Sequence, residues 1–175
     1  SLLYRAVRAE LDAGLAGYDE ARGRAVYRTV IERLKSLPGV ESVSPAATVP
    51  FGMVSDGRRV QRADASDSNP EDPGADRGVG ARYFIVGADY FKTLGVPMLR
   101  GRTFHRGEEE AGLSPPVAIV DELLAKCLWP NEDALGKRIK FGREEKGQTV
   151  VDVVGVVPTL RTRILESAPE PNVYA

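Results

Sequence analysis

The sequence is poor in the side chains that most often carry chemistry. It has one cysteine, Cys127, and one histidine, His105. A single cysteine excludes an internal disulfide, and a single histidine excludes zinc sites built from several histidines. No apolar run approaches the ~18 residues that a membrane span requires, and the first residues lack the basic, apolar and small-residue order of a signal peptide. The sequence therefore predicts neither a membrane helix nor a histidine-rich metal site.

Net charge is nearly absent as well. The 24 Lys and Arg side chains balance 25 Asp and Glu, which leaves a formal net charge of -1. No overall field draws in nucleic acid or anionic lipid, and a nucleic-acid partner is disfavoured. The 42% hydrophobic and 28% charged residues are typical of a folded globular protein. A chain of 175 residues is long enough for one ordinary domain or two small lobes.

Residues 1–50 are predicted to form a strand–helix–strand lobe. The helix begins at Glu20, after Asp19 as N-cap, and Pro38–Gly39 ends it. A strand is expected at residues 40–49. Residues 2–11 fit both a helical stripe and the alternation of a strand, and the strand there is what a family resemblance of the chain implies. The helix carries an apolar stripe that is expected to be buried: Val26, Tyr27, Val30, Ile31, Leu34 and Leu37.

Residues 51–80 change character. They contain few large apolar side chains and many Asp, Ser, Gly and Pro residues. Such a segment cannot bury enough surface to offset its ordering entropy. The prediction is a flexible polar loop with a short strand near 59–62; a contact loop that a partner orders is the alternative.

Residues 81–175 are predicted to form a second mixed α/β lobe. Asp121 caps one short helix, and Gly95 ends another in a left-handed conformation. The overall class is therefore α+β, with two mixed lobes, the second holding two short helices and a hairpin. Strands are expected at 82–86, 96–99 and 117–120. One helix contains Tyr90–Phe91 and the other spans 122–129. The hairpin joins a strand at 137–141 to a strand at 149–157.

Sequence motifs of catalysis are missing. There is no GxSxG elbow, no CxxC pair and no phosphate loop. His105 is interpreted as an exposed loop residue and Cys127 as a small buried hydrophobe. The run Glu108–Glu110 is interpreted as a solvated loop. No catalytic, cofactor-binding or metal residue is expected; a small hydrolase that uses His105 as its base is a distant alternative, which requires His105 in a cleft.

An ordered series of short motifs runs along the chain: Leu37–Val40, Tyr90–Phe91, Gly101–Arg102, Leu128–Pro130 and Val154–Val156. The series resembles the periplasmic core domain of MacB-type ABC transporter permeases, within the FtsX-like permease family. The resemblance implies that Arg102 bonds to neighbouring carbonyls and fixes its turn. The aromatic rings, which recur at element boundaries, are expected to pack in the core, and a drug-binding groove is the alternative. The resemblance implies a structural role for the following residues: Pro38, Gly39, Tyr90, Phe91, Gly95, Gly101, Arg102, Phe104, Trp129, Pro130, Gly136 and Gly155.

The resemblance also implies a function. Such a domain lies outside the cytoplasm, breaks no bonds and relays conformational change driven by ATP to substrate export or to partner proteins. The implied partners are a second permease subunit, an ABC ATPase domain or subunit and, in two-membrane bacteria, a periplasmic adaptor protein, with membrane helices outside this segment. The alternative is an FtsX-like regulatory binding module that recruits an envelope protein and transports nothing.

Overall fold

The computed structural model describes residues 9, 11, 19–46, 56–65, 78–109, 116–141, 148–160 and 168–175. Within these ranges the chain forms three α-helices, α1 (Glu20–Lys35), α2 (Tyr90–Leu94) and α3 (Glu122–Leu128), and one 3-10 turn (Arg106–Glu109). The strands are β1 (Asp56–Arg62), β2 (Val79–Phe84), β3 (Arg100–Gly101), β4 (Val117–Asp121), β5 (Arg138–Phe141), β6 (Thr149–Val157) and β7 (Asn172–Tyr174).

The strands form one mixed sheet that closes on itself. Its order is β3-β6-β4-β7-β2-β1-β5, and β5 pairs again with β6. Six strands therefore make a closed ring, here called the barrel, and β3 extends it beside the C-terminal half of β6. Parallel pairing joins β4 to β6 and β2 to β7, and the other pairs are antiparallel. Helices together with a mixed sheet confirm the predicted α+β class.

Side chains on the two faces of the sheet form two apolar clusters. Successive residues of β4 divide between them, since Val120 packs in the first cluster and Ile119 in the second. In the first cluster, α3 contributes Leu124 and Leu128. In the second, α2 contributes Tyr90 and Phe91. Alternation along a strand thus gives each helix one face of the sheet to cover.

Residues 19–46, here called the arm, contain α1 and the segment that follows it. The carboxylate of Asp19 accepts a 2.8 Å hydrogen bond from the Arg22 N–H, which caps the helix as predicted. The predicted apolar stripe is present along the arm, but none of it is fully buried: three of its six residues are half-buried and the other three are exposed. Tyr27 and Leu34 are 39% and 36% exposed, and Leu37 is 51% exposed. Among residues 21–35 of this helix, Gly23 is the one that is buried.

Several predicted strands differ from the structure. Residues 40–46 contain one isolated bridge, Ala46 to Val86, where a strand over 40–49 was expected. The strand expected at 96–99 is instead β3, which includes the glycine predicted to end it. The strand expected at residues 2–11 and the remainder of 40–49 lie outside the described residues. The division into two lobes with a connection at 51–80 stays a prediction.

Two strands are more extensive than the sequence suggested. β1 spans Asp56–Arg62 within the predicted polar loop, where a short strand near 59–62 was expected. Val60 is fully buried, and the Arg58 guanidinium lies 3.8 Å from the centroid of the Tyr83 ring, so that this charged residue of β1 covers an aromatic ring of the sheet. No strand was predicted at 172–174, yet β7 lies there, between β4 and β2.

Candidate functional site

Three glycines of the motif series meet beside β6. Gly101 lies opposite Gly155 in the pairing of β3 with β6. A Cβ on Gly101 would lie 2.2 Å from the Val154 carbonyl oxygen, and a Cβ on Gly155 would lie 2.4 Å from the Arg102 carbonyl oxygen. The Gly136 N–H donates to the Val153 carbonyl at 3.0 Å. The two motifs that contain Gly101 and Gly155 therefore depend on one another, because the backbones approach too closely for a side chain on either strand.

Arg102 fixes the corner that follows β3. Its guanidinium donates two hydrogen bonds to the Glu108 carboxylate, at 3.0 and 2.7 Å, and a third at 3.0 Å to the Thr103 carbonyl. Glu108 also accepts a 2.7 Å hydrogen bond from the His105 N–H. The hydrogen bonds from Arg102 hold the pKa of Glu108 below its usual range, and the same pair raises the pKa of Arg102.

Glu108 was not singled out by sequence reasoning. Its side chain is only 11% exposed, whereas the run of three glutamates was interpreted as a solvated loop. The signal that sequence reasoning missed is the spacing from Arg102 to Glu108, which lets a 3-10 turn bring the carboxylate back onto the guanidinium. His105 itself is exposed, which does not fit the cleft position that the hydrolase alternative requires.

The aromatic motif residues pack as a buried cluster. Tyr90 is 4% exposed and Phe91 is 2% exposed, and Phe104 is 7% exposed in the same cluster. The Phe91 ring meets the Tyr174 ring edge-on with centroids 5.0 Å apart. Gly95, at φ 66°, ends α2 in the left-handed conformation that was predicted. These rings fill the core and present no open face to a ligand.

Two tyrosine hydroxyls in this cluster are buried without a hydrogen-bond partner, those of Tyr90 and Tyr174. Burial raises the pKa of Tyr90 to about 12 and raises that of Tyr174 as well. Both phenols therefore stay neutral at physiological pH. A neutral phenol is the form that an apolar environment tolerates best.

A buried polar pair joins β4 to β7. The Asn172 amide donates 2.9 Å to one oxygen of Asp121, and the other oxygen accepts 2.8 Å from the Leu124 N–H at the start of α3. Burial raises the pKa of Asp121, and these two hydrogen bonds act in the opposite direction. Asp121 was predicted as a helix cap, but no sequence pattern pointed to Asn172.

The remaining motif residues are distributed over the fold. Trp129 is buried in the first cluster directly after α3, and Pro130 is exposed beside it. Pro38 and Gly39 are exposed in the turn that follows α1. Cys127 was predicted to be buried, but it is exposed on the outer side of α3, because the buried positions of this helix are Leu124 and Leu128.

The polar side chains of this arrangement make contacts that stabilise the fold. Among the described residues, no group of three or more His, Cys, Asp or Glu side chains is placed to hold a metal ion. Within the same ranges, no helix is both long and apolar enough to cross a membrane. At the corner after β3, the side chains of Arg102 and Glu108 bond to each other and to the backbone, and so they hold the corner in place.

Comparison with known proteins agrees with this architecture. The family described as the MacB-like periplasmic core domain matches residues 6–174. The chain belongs to this family. Its members are periplasmic domains of ABC transporter permeases, so that this MacB-like domain is an extracytoplasmic part of a membrane-associated system. The search of the curated proteins found no match.

Solved structures resemble the MacB-like domain in fold. The periplasmic region of MacB from Actinobacillus actinomycetemcomitans is similar with a TM-score of 0.53 and 21% identity over 85% of this chain and 53% of that one. The extracellular domain of the noncanonic ABC-type transporter YknZ from Gram-positive bacteria is similar with a TM-score of 0.52 and 18% identity over 82% of this chain and 58% of that one. The domain thus spans little more than half the length of either.

Proposed function

We propose that this MacB-like domain is a non-catalytic relay, which transmits conformational change driven by ATP to substrate export or to partner proteins. Membership of the family over residues 6–174 is the observation that carries the proposal. The closed barrel supports it, because an element that transmits displacement must move as a rigid body. Two apolar clusters on opposite faces of one closed sheet give the barrel that rigidity.

The contacts made by two groups of polar side chains support a non-catalytic role. Arg102 and Glu108 are bonded to each other, and Asp121 is bonded to Asn172 and to the start of α3. Each interaction stabilises a corner or a strand junction. Neither combines a nucleophile with a base, which is the arrangement that acyl or phosphoryl transfer requires.

The partners in this proposal follow from the family. They are a second permease subunit, an ABC ATPase domain or subunit and, in two-membrane bacteria, a periplasmic adaptor protein. A regulatory binding module of the FtsX-like type is the second candidate. The exposed apolar residues of α1 favour a contact with protein, and such a contact suits either function.

Distance measurements on the full-length permease with its ATPase would test the relay. Cys127 is exposed and therefore accepts a spin label once other cysteines are removed. The distance between the labels of two permease copies is expected to change when ATP binds, and to remain fixed when the ATPase carries a substitution that abolishes nucleotide binding. A Lys126→Cys label with Cys127→Ser repeats the measurement one residue away, at a position that is also exposed.

A constant distance in every nucleotide state would contradict the relay. The regulatory module predicts instead that an envelope protein binds this domain with the same affinity whether or not the ATPase holds nucleotide. Affinity measured for the same permease in both states therefore separates the two candidates.

A further inference from the structure

We propose that the arm meets the barrel at a hinge, formed by residues 42–46 against residues 86–93 and held closed by a polar latch. The hinge deepens the relay function proposed above and rests on it for its role. Sequence reasoning placed the flexible connection at 51–80, whereas this joint precedes that segment.

The backbone contact at the joint is small. The Gly87 N–H donates a 3.0 Å hydrogen bond to the Pro45 carbonyl, and Ala46 makes one isolated bridge to Val86. The Pro45 ring occupies the space beside Gly87, where an added Cβ would lie 2.7 Å from Pro45 Cδ. Within residues 19–46 and 78–109, the two backbones therefore touch at this one close point and form no ladder of paired residues. A contact of this shape constrains position more than orientation.

Two side-chain contacts latch the arm in place. The hydroxyls of Ser42 and Thr93 lie 2.6 Å apart, and the Thr93 hydroxyl also donates 2.8 Å to the Asp89 carbonyl. Because the single Thr93 proton is used in that second bond, Ser42 is the donor of the first. Lys35, in the last turn of α1, lies 3.7 Å from the Asp89 carboxylate, and the exposed side chain of Arg106 lies 3.6 Å from the same oxygen.

In the described part of the joint, little apolar surface opposes rotation of the arm. Ala46 packs against the second cluster, but Ser42, Val43 and Ser44 are only half-buried. Inside one chain, units joined by small polar contacts are expected to move relative to each other, whereas large apolar interfaces hold them fixed. The latch is weak enough to open, because hydrogen bonds and ion pairs near water contribute little net stability.

Spin-label distances in the full-length permease test the hinge. One label is placed at Arg28→Cys on the exposed side of α1 and the other at Cys127 in the barrel, with other cysteines removed. Ser42→Ala removes the hydroxyl contact, and it is expected to raise the ratio of displaced to docked arm about twofold to tenfold. Lys35→Met removes the ion pair and is expected to raise the same ratio by at most about fivefold.

Matched variants away from the joint serve as controls. Ser36→Ala removes a hydroxyl that bonds within the arm, to the Arg33 carbonyl, and Lys137→Met removes a surface ion pair with Glu132. Both are expected to leave the distribution of distances unchanged. Higher salt is expected to displace the arm in wild type and not in Lys35→Met, since only wild type retains the ion pair.

The outcomes separate the hinge from the relay. The hinge is wrong if wild type, Ser42→Ala and Lys35→Met all give the same narrow distribution of the distance from Arg28→Cys to Cys127. This conclusion does not depend on whether nucleotide changes the distance between the Cys127 labels of two permease copies. If the variants displace the arm but nucleotide leaves that distance unchanged, the hinge stands and the relay falls.

Discussion

The arm and the barrel use the same kinds of apolar residue and bury them to very different extents. Leu124 in α3 is fully buried, whereas Leu34 in α1 is 36% exposed, although both lie on the apolar stripe of a helix. The difference in burial depends on what packs against the apolar face of each helix. α3 covers one face of a closed sheet, whereas the contacts that the structure describes between residues 19–46 and the barrel side are those of the joint. Periodicity thus identifies which residues share a face but does not determine whether that face is covered.

The largest expected effect belongs to the barrel. Leu124→Ala should lower the free energy of unfolding by about 2 to 5 kcal/mol, because it leaves a cavity in a packed core while Ala remains a good helix former. Urea unfolding of the chain measures this. A cost below about 1 kcal/mol would mean that the first cluster is loosely packed, and the comparison with the arm would lose its basis.

Glycine substitutions test the close contact beside β6. Gly101→Ala should cost about 2 to 5 kcal/mol, because it combines left-handed strain of about 1 to 2 kcal/mol with a clash of about 1 to 3 kcal/mol. Gly136→Ala is the matched control, since its φ of 73° is close to the 72° of Gly101 but an added Cβ would have no neighbour within 4 Å. Equal costs for the two variants would argue against the steric explanation.

Arg102→Ala should have a smaller effect. Loss of the two bonds to Glu108 is expected to cost about 1 kcal/mol, since the Arg102 side chain is 39% exposed and water weakens the pair. That cost lowers the melting temperature by about 2 to 4 °C. An unchanged melting temperature would show that the corner does not need this arginine.

The same variant has a defined pH dependence. The folded protein lowers the pKa of Glu108 below its ordinary 4.5, so the stability from this pair is present above pH 4.5 and is lost as pH falls through the lowered value. The difference in unfolding free energy between wild type and Arg102→Ala should therefore shrink below pH 4.5. A difference that grows on acidification would contradict the assigned role.

The smallest effect is expected in the arm. Leu34→Ala makes the same change as Leu124→Ala, also in a helix, but should alter the free energy of unfolding by no more than about 0.5 kcal/mol. Unfolding of both variants in urea gives the ratio directly. A cost of several kcal/mol at Leu34 would show that α1 is packed in solution and would end the distinction between arm and barrel.

Sequence patterns predicted best those elements whose local signals agree. Strand β6 was predicted at 149–157 and spans Thr149–Val157, because its long apolar run ends at a proline. The caps at Asp19 and Asp121 were also predicted, since an aspartate before an apolar helical run has few other interpretations. Agreement between neighbouring residues carried these predictions.

The remaining errors come from long-range contacts. β7 has three residues, too few to show a pattern, and the strands on either side of it decide its position. β1 was obscured by its arginines, of which Arg58 covers the rings of Tyr83 and Phe141. Likewise, the strand expected at 40–49 lacks a ladder of partners in its described part, where one bridge forms instead. Pairing partners are not visible in a local window.

The position of β7 has a consequence for how the protein is made. Its residues 172–174 pair with Arg82–Phe84 on one side and with Ile119–Val120 on the other. While a ribosome is still translating the residues before Asn172, the emerging chain has two open strand edges facing a gap, and such edges invite pairing with other chains. The ring can therefore close only after these three residues have been synthesised. Until then, the edges of β2 and β4 that face the gap remain open to pairing with other chains.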